Sequence, residues 1–157
     1  MKIGFGYDIH KLVKSKPLYL GGVRIPSNKG LLAHSDGDVL LHSICDSLLG
    51  AVGLGDIGMH FPNSDRKYKN ISSLILLEKT YNLLKKQGYK IENIDSMIVA
   101  QEPKISPYID KMKTNISKIL KSQNISIKAT TNEGVGDIGK GKAICAYTVC
   151  LIQRKNV

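Results

Sequence analysis

Apolar positions along this chain follow two periods, about two and about 3.6, and the switches between them mark out its elements. Residues 2–9 read as a strand running into Asp8-Ile9-His10 at its end. Leu18-Tyr19-Leu20 and Val23-Arg24-Ile25 flank Gly21-Gly22, which supplies the positive φ angles of a two-residue hairpin. Asn28-Lys29-Gly30 reads as a turn. His34-Ser35-Asp36-Gly37-Asp38 then opens a helix, with Ser35 or Asp36 as the expected N-cap. Leu40, Leu41, Ile44, Leu48 and Ala51 form its apolar side, and Gly53 and Gly55 end it after about Val52.

The polar stretch 56–70 reads as a loop. A second helix is expected over 71–87, with Leu74, Leu77, Tyr81 and Leu84 inward and Gly88 as terminator. A strand follows through Ile91, Ile94, Met97 and Val99, and Pro103 and Pro107 bracket a short loop. The third helix, 108–122, turns Ile109, Met112, Ile116, Ile119 and Leu120 to the core. Residues 124–131 read as a strand, 132–141 as a glycine-rich loop and 143–153 as a last apolar strand. The hairpin and the βαβαβ tail predict an α+β sandwich: one sheet, helices on one face, right-handed crossovers.

With 157 residues, 42% hydrophobic and 23% charged, the chain is expected to form one globular domain over 1–157. The formal charge of +10 raises the question of nucleic acid. The excess comes from 20 lysines against three arginines, scattered except for Lys85-Lys86, which fits a solvated surface better than a base-reading one. An RRM-like module would interleave aromatic and basic residues on its strands. The strand at 91–99 has no aromatic residue and the last strand only Tyr147. Nucleic acid is therefore not expected as a partner. Cys45, Cys145 and Cys150, odd in number and without CxxC spacing, predict buried reduced thiols and a cytoplasmic protein. No leader and no stretch of membrane-spanning length is apparent.

Candidate chemistry gathers on a few polar residues. Asp8 and His10 share a strand face, and His42 lies one helical turn from both Asp38 and Asp46. Asp and His are good zinc ligands, although Asp8 capping a turn and His42 packing on the sheet would explain the pattern equally well. The segment 34–38 at a helix start offers free N–H groups to an anion, or simply caps the helix. Thr130-Thr131-Asn132-Glu133-Gly134 leads into glycines 136, 139 and 141, a backbone able to approach phosphate, with Glu133 a candidate for Mg²⁺ or Mn²⁺. It does not match a Walker pattern; a flexible hairpin loop is the plainer alternative. Lys104 offers a point charge to a diphosphate.

Taken in order, GFGYDIH, GGVRIP, GLLAHSDGDVLLHSICDSLLGAVGLGDIG, HFPNSD, AQEPK and KATTNEGVG closely resemble the 2-C-methyl-D-erythritol 2,4-cyclodiphosphate synthases over nearly the whole chain. The resemblance implies a ferredoxin-like fold and a homotrimer with active sites between subunits. It implies zinc on Asp8, His10 and His42, and a second metal, Mg²⁺ or Mn²⁺, on Glu133. His34 and Thr131 match positions that stabilise the reacting phosphates, so both are taken as catalytic. Ser35, Asp56, Gly58, Phe61, Asn63 and Asp65 match positions around the methylerythritol phosphate. Ala100, Pro103, Lys104 and Ser106 match a cytidine diphosphate pocket, and Thr130, Thr131 and Glu133 a phosphate and second-metal site; Asp8, His10, His34 and Lys140 are also expected to bind substrate. The chain departs from the pattern at His60, Asn63, Asp137 and Lys140; Asp137 and Lys140 stand where Phe and Arg are expected, which weakens an accessory prenyl diphosphate site. The implied reaction is intramolecular, the 2-phosphate attacking the β-phosphorus of the CDP group and releasing CMP in non-mevalonate isoprenoid biosynthesis. A zinc phosphohydrolase using water at the same metal is the competing chemistry.

Overall fold

The computed structural model describes residues 1–155; residues 156 and 157, the end of the expected 1–157 domain, lie outside the described residues. Its centre is a five-stranded sheet built from β1 (Lys2–Lys14), β4 (Lys29–Leu31), β5 (Tyr89–Val99), β6 (Ile125–Thr130) and β7 (Ala143–Arg154). The order is β4-β1-β7-β5-β6, with β5 and β6 parallel and every other pair antiparallel. The Gly-Gly hairpin of β2 (Leu18–Leu20) and β3 (Val23–Ile25) forms as expected, both glycines having positive φ.

Helices α1 (Val39–Ala51), α3 (Ser73–Lys86) and α4 (Ile109–Leu120) cover one face of the sheet. This is the expected α+β sandwich. Helix α1 is apolar nearly all round, with Val39, Leu40, Leu41, Ile44, Leu48 and Leu49 all buried, because it lies between the sheet and α3. Leu77 and Leu84 of α3 and Met112, Ile116 and Leu120 of α4 are buried as their spacing predicts, while Leu74, Tyr81, Ile109 and Ile119 pack at the margin. Among the described residues no helix is long and apolar enough to cross a membrane.

Three local expectations change. Strand β1 continues to Lys14, so Asp8 and His10 lie within the strand instead of at its end. Its extra length gives residues 29–31 a partner, and the anticipated 28–30 turn becomes the edge strand β4. The loops at 56–70 and 132–141 contain short helices, α2 (Ile57–His60) and α5 (Gly136–Gly139), and a 3₁₀ turn at Arg66–Tyr68.

Candidate functional site

The site begins with a close approach of helix to strand. Even-numbered residues of β1 point at α1, and two of them are Gly4 and Gly6. A β-carbon on Gly4 would lie 1.8 Å from the Ser47 carbonyl oxygen, and one on Gly6 would lie 1.9 Å from that of Ser43. Only glycine lets the helix backbone come so near. The next two residues on that face are Asp8 and His10, and the helix held there presents His42 to them.

The three side chains converge on one point. Asp8 Oδ2 is 3.0 Å from His10 Nε2 and 2.9 Å from His42 Nδ1, and the two ring nitrogens are 3.4 Å apart. Ligands at 2.0–2.1 Å from a tetrahedral ion stand about 3.3 Å from one another. The donor set and its spacing therefore fit a divalent metal with an open fourth position, and the three residues form a candidate metal-binding cluster. Burial raises the Asp8 pKa, but hydrogen bonds and positive charge from His10 and His42 prevail and hold it well below the usual carboxylate range. Burial lowers the pKa of His42, yet Asp8, Asp38 and Asp36 outweigh it and leave it raised.

His42, only 5% exposed, is held from behind as well. Its Nε2 lies 2.9 Å from Ser73 Oγ and 3.2 Å from Ser35 Oγ. Ser73 donates its hydroxyl to Asp36 Oδ1 and its backbone N–H to Asp36 Oδ2 at 2.8 Å. Sequence reading missed Ser73, a residue with no local signal that joins the site through a contact 31 positions away.

A cavity of about 400 Å³ opens over the triad. Asp8, His10, His34, Ser35, His42, Gly58, Phe61 and Asn63 line it, and Leu32, Tyr68, Ile71 and Leu76 add apolar wall. Asp56 and Asp65 are not part of that wall. Their carboxylates cap short turns, Asp56 accepting from Met59 N and Asp65 from Lys67 N, while the Asp65 carbonyl lies 3.4 Å from His34 Nε2.

A second cleft of about 960 Å³ lies where the carboxyl ends of the parallel strands β5 and β6 meet the start of β7. It brings together Ala100, Pro103, Lys104, Ser106, Thr130, Thr131 and Lys140, and adds Leu12, Ser27, Asn28 and Lys29, which the sequence had not suggested. Glu133 stands beside it with positive φ, accepting from Thr131 Oγ1 at 2.9 Å. Gln101 Oε1 takes the Gly134 N–H at 3.3 Å and so ties this loop to the 100–106 segment. Asp137 pairs with Lys142 at 3.2 Å. The two cavities have no lining residue in common.

Other expectations are overturned. The N-cap of α1 is Asp38, not Ser35 or Asp36. Asp38 is fully buried and accepts N–H groups from Gly21, Gly22 and Leu41 at 3.0, 2.8 and 3.1 Å, so its own carboxylate occupies that helix end. Burial, then the Asp36 charge, push its pKa up to about 6 against the lowering effect of those N–H groups. Asp46 accepts Ile57 N at 2.8 Å and anchors α2. Of the Asp38/His42/Asp46 stripe, only His42 joins the metal cluster. All three cysteines are free and buried, as predicted.

Comparisons with known proteins agree with this geometry. The model of the YgbB family matches residues 1–153. A Clostridium kluyveri protein named 2-C-methyl-D-erythritol 2,4-cyclodiphosphate synthase is 60% identical over 154 residues, 97% of this chain and 94% of its own length. Among solved structures, the bifunctional IspDF of Campylobacter jejuni superposes with a TM-score of 0.95 at 39% identity, the match covering 99% of this chain and 42% of that one. A CDP complex of Plasmodium falciparum IspF gives 0.86 at 43% identity, over 99% and 97% of the two chains. A family match along nearly the whole length, joined to the fold and the Asp/His/His cluster, places this chain in the YgbB family.

Proposed function

We propose that this chain is a cyclising phosphorus–oxygen lyase that converts 4-diphosphocytidyl-2-C-methyl-D-erythritol 2-phosphate to the 2,4-cyclodiphosphate and CMP. The observation that carries the reading is the Asp8/His10/His42 triangle in the wall of a cavity of about 400 Å³, with a separate cleft large enough for a nucleotide. Its relatives' name and the CDP complex of one of them support the same substrate class.

Asp8, His10 and His42 would hold zinc, and Glu133 would hold Mg²⁺ or Mn²⁺. Bound there, the metals supply Lewis-acid charge neutralisation at phosphoryl oxygen. His34 and Ser35 offer donors to the phosphate over the triad, and Thr131 offers its hydroxyl at the other cleft. Lys104 and Lys140 add positive charge to the nucleotide phosphates. Ala100, Pro103 and Ser106 wall the cytidine, while Gly58, Phe61 and Asn63 enclose the sugar. An oxygen of the 2-phosphate forms the new bond to the β-phosphorus. The bond from that phosphorus to the CMP oxygen breaks, and CMP leaves with the electron pair. The attacking oxygen is already anionic, so no general base is needed, and rate comes from positioning and charge stabilisation.

The working form we propose is a homotrimer in which the nucleotide cleft of one subunit faces the metal cavity of the next. On the sheet face away from the helices, Ile3, Phe5, Tyr7, Ile9, Tyr147 and Val149 are exposed, Phe5 at 62%. Contiguous apolar surface of this kind calls for a partner, and two cavities that share no residue are suited to meeting across it. Buried free thiols support a reducing, cytoplasmic setting. Incubating purified protein with the CDP-methylerythritol phosphate and Mg²⁺ should yield a cyclic diphosphate and CMP by mass spectrometry. An opened monoester would favour the hydrolase instead. Sedimentation should give three times the chain mass, and Phe5→Glu/Tyr147→Glu should give monomer with little turnover. An active wild-type monomer would end the trimer proposal.

A further inference from the structure

We propose that Ser73 and Asp36 are positioning residues that fix the tautomer of His42 and so set the strength of the metal centre; this rests on reading Asp8, His10 and His42 as metal ligands. The Ser73 hydroxyl carries a single proton, and it goes to Asp36 Oδ1, because a carboxylate only accepts. The other Asp36 oxygen is occupied by the Ser73 backbone N–H at 2.8 Å. Ser73 Oγ therefore meets His42 Nε2, 2.9 Å away, as an acceptor, and Nε2 must be the nitrogen that bears hydrogen. Ser35 Oγ, at 3.2 Å, lies close enough to share that proton. The Nδ1 lone pair is left for the point where Asp8 Oδ2 and His10 Nε2 converge. Ser73 is fully buried, so water does not substitute for it. Metal-binding histidines characteristically donate their second N–H to such a partner, and loss of the partner weakens metal affinity by about 10- to 100-fold.

Asp36 sets the direction of the chain. It is joined to the helix start by its side chain and by its own N–H, which donates to Ile71 O at 3.1 Å. Asp36 Oδ1 also accepts the Asp38 N–H at 3.1 Å, so each carboxylate oxygen holds a backbone N–H. In Asp36→Asn the single amide oxygen serves only one of them. Where it serves the Ser73 N–H, the amide NH₂ faces Ser73 Oγ, Ser73 donates to His42 Nε2, and the ring hydrogen moves onto Nδ1, the atom needed for metal.

The test uses the full chain, with zinc alone as the probe. Zinc affinity is measured by chelator competition for wild type, Ser73→Ala and Asp36→Asn. Long-range ¹H–¹⁵N spectra report which His42 nitrogen carries hydrogen. Roughly 10-fold weaker zinc binding is expected for Ser73→Ala and up to about 100-fold for Asp36→Asn. The zinc-loaded wild type should show hydrogen on Nε2, and zinc-free Asp36→Asn an increased Nδ1–H neutral form. Unchanged affinity in both variants, or hydrogen absent from Nε2 in the loaded wild type, would overturn the proposal. If Asp36→Asn does not fold, Ser73→Ala decides alone. A wild type that takes up no zinc overturns the metal reading itself, a result distinct from equal binding by all three proteins.

Discussion

Replacing Gly6 with alanine should damage stability and the metal site together, whereas the same change at Gly50 should help. The β-carbon at position 6 would sit 1.9 Å from Ser43 O, 2.8 Å from Ser47 N and 2.9 Å from Ser43 C. All three are atoms of the α1 backbone, so no side-chain rotation relieves the overlap. Ordinary contact begins near 3.4 Å, so helix and strand must separate by about 1.5 Å. Overpacking of a well-filled core costs about 1–3 kcal/mol. With rigid backbone on one side, a loss of about 3 kcal/mol is expected. If His42 moved with the helix, its 2.9 Å contact with Asp8 would open to roughly 4.4 Å, beyond hydrogen-bond reach and too wide for one ion to bridge. At Gly50, on α1 itself, an added β-carbon meets nothing nearer than 3.9 Å, and alanine should stabilise the helix by about 0.5–1 kcal/mol. Urea unfolding at fixed zinc and chelator-competed zinc titration of both variants give the two readouts. A Gly6→Ala protein with wild-type midpoint and wild-type zinc affinity would refute the close-approach argument.

Elemental analysis should find about one zinc per chain in wild type and none in Asp8→Ala/His42→Ala; full retention would remove the ligand assignment. Glu133→Gln should lower turnover by roughly 100-fold at low Mg²⁺ while leaving the thermal midpoint in place, since Glu133 is exposed in a loop; a near-normal rate would withdraw its role. Asp38 has a folded-state pKa raised to about 6 from the ordinary 3.8, so the folded chain holds that proton more tightly than the unfolded one. Its contribution to stability is therefore fully present below about pH 4 and is lost as pH rises to about 6. Asp38→Asn should be less stable by about 1–3 kcal/mol at low pH, through poorer acceptance of three backbone N–H groups. The gap between variant and wild type should then narrow across pH 4 to 6, and a gap independent of pH would contradict the burial argument.

What could be read from the sequence divides along a physical line. Asp8 and His10 were legible as one face of a strand because period two needs no partner to define it, and ligand chemistry is a property of residue type. The major helices and strands were legible for the same reason: each carries its own apolar repeat. Failures came where a neighbour decides. Three residues before α1 satisfy the local rules for an N-cap, and Asp38 prevails because the Gly21 and Gly22 N–H groups also need its carboxylate. Residues 29–31 look like a turn until β1 runs on to Lys14 and offers an edge. Ser73 looks like an ordinary polar residue at a helix start, and only the packing of α3 against α1 turns its hydroxyl toward His42. The candidate metal ligands are thus chosen by chemistry that the sequence displays. Their distances depend on Gly6, and the proton on His42 on Ser73 and Asp36, residues whose importance exists only once the chain is folded.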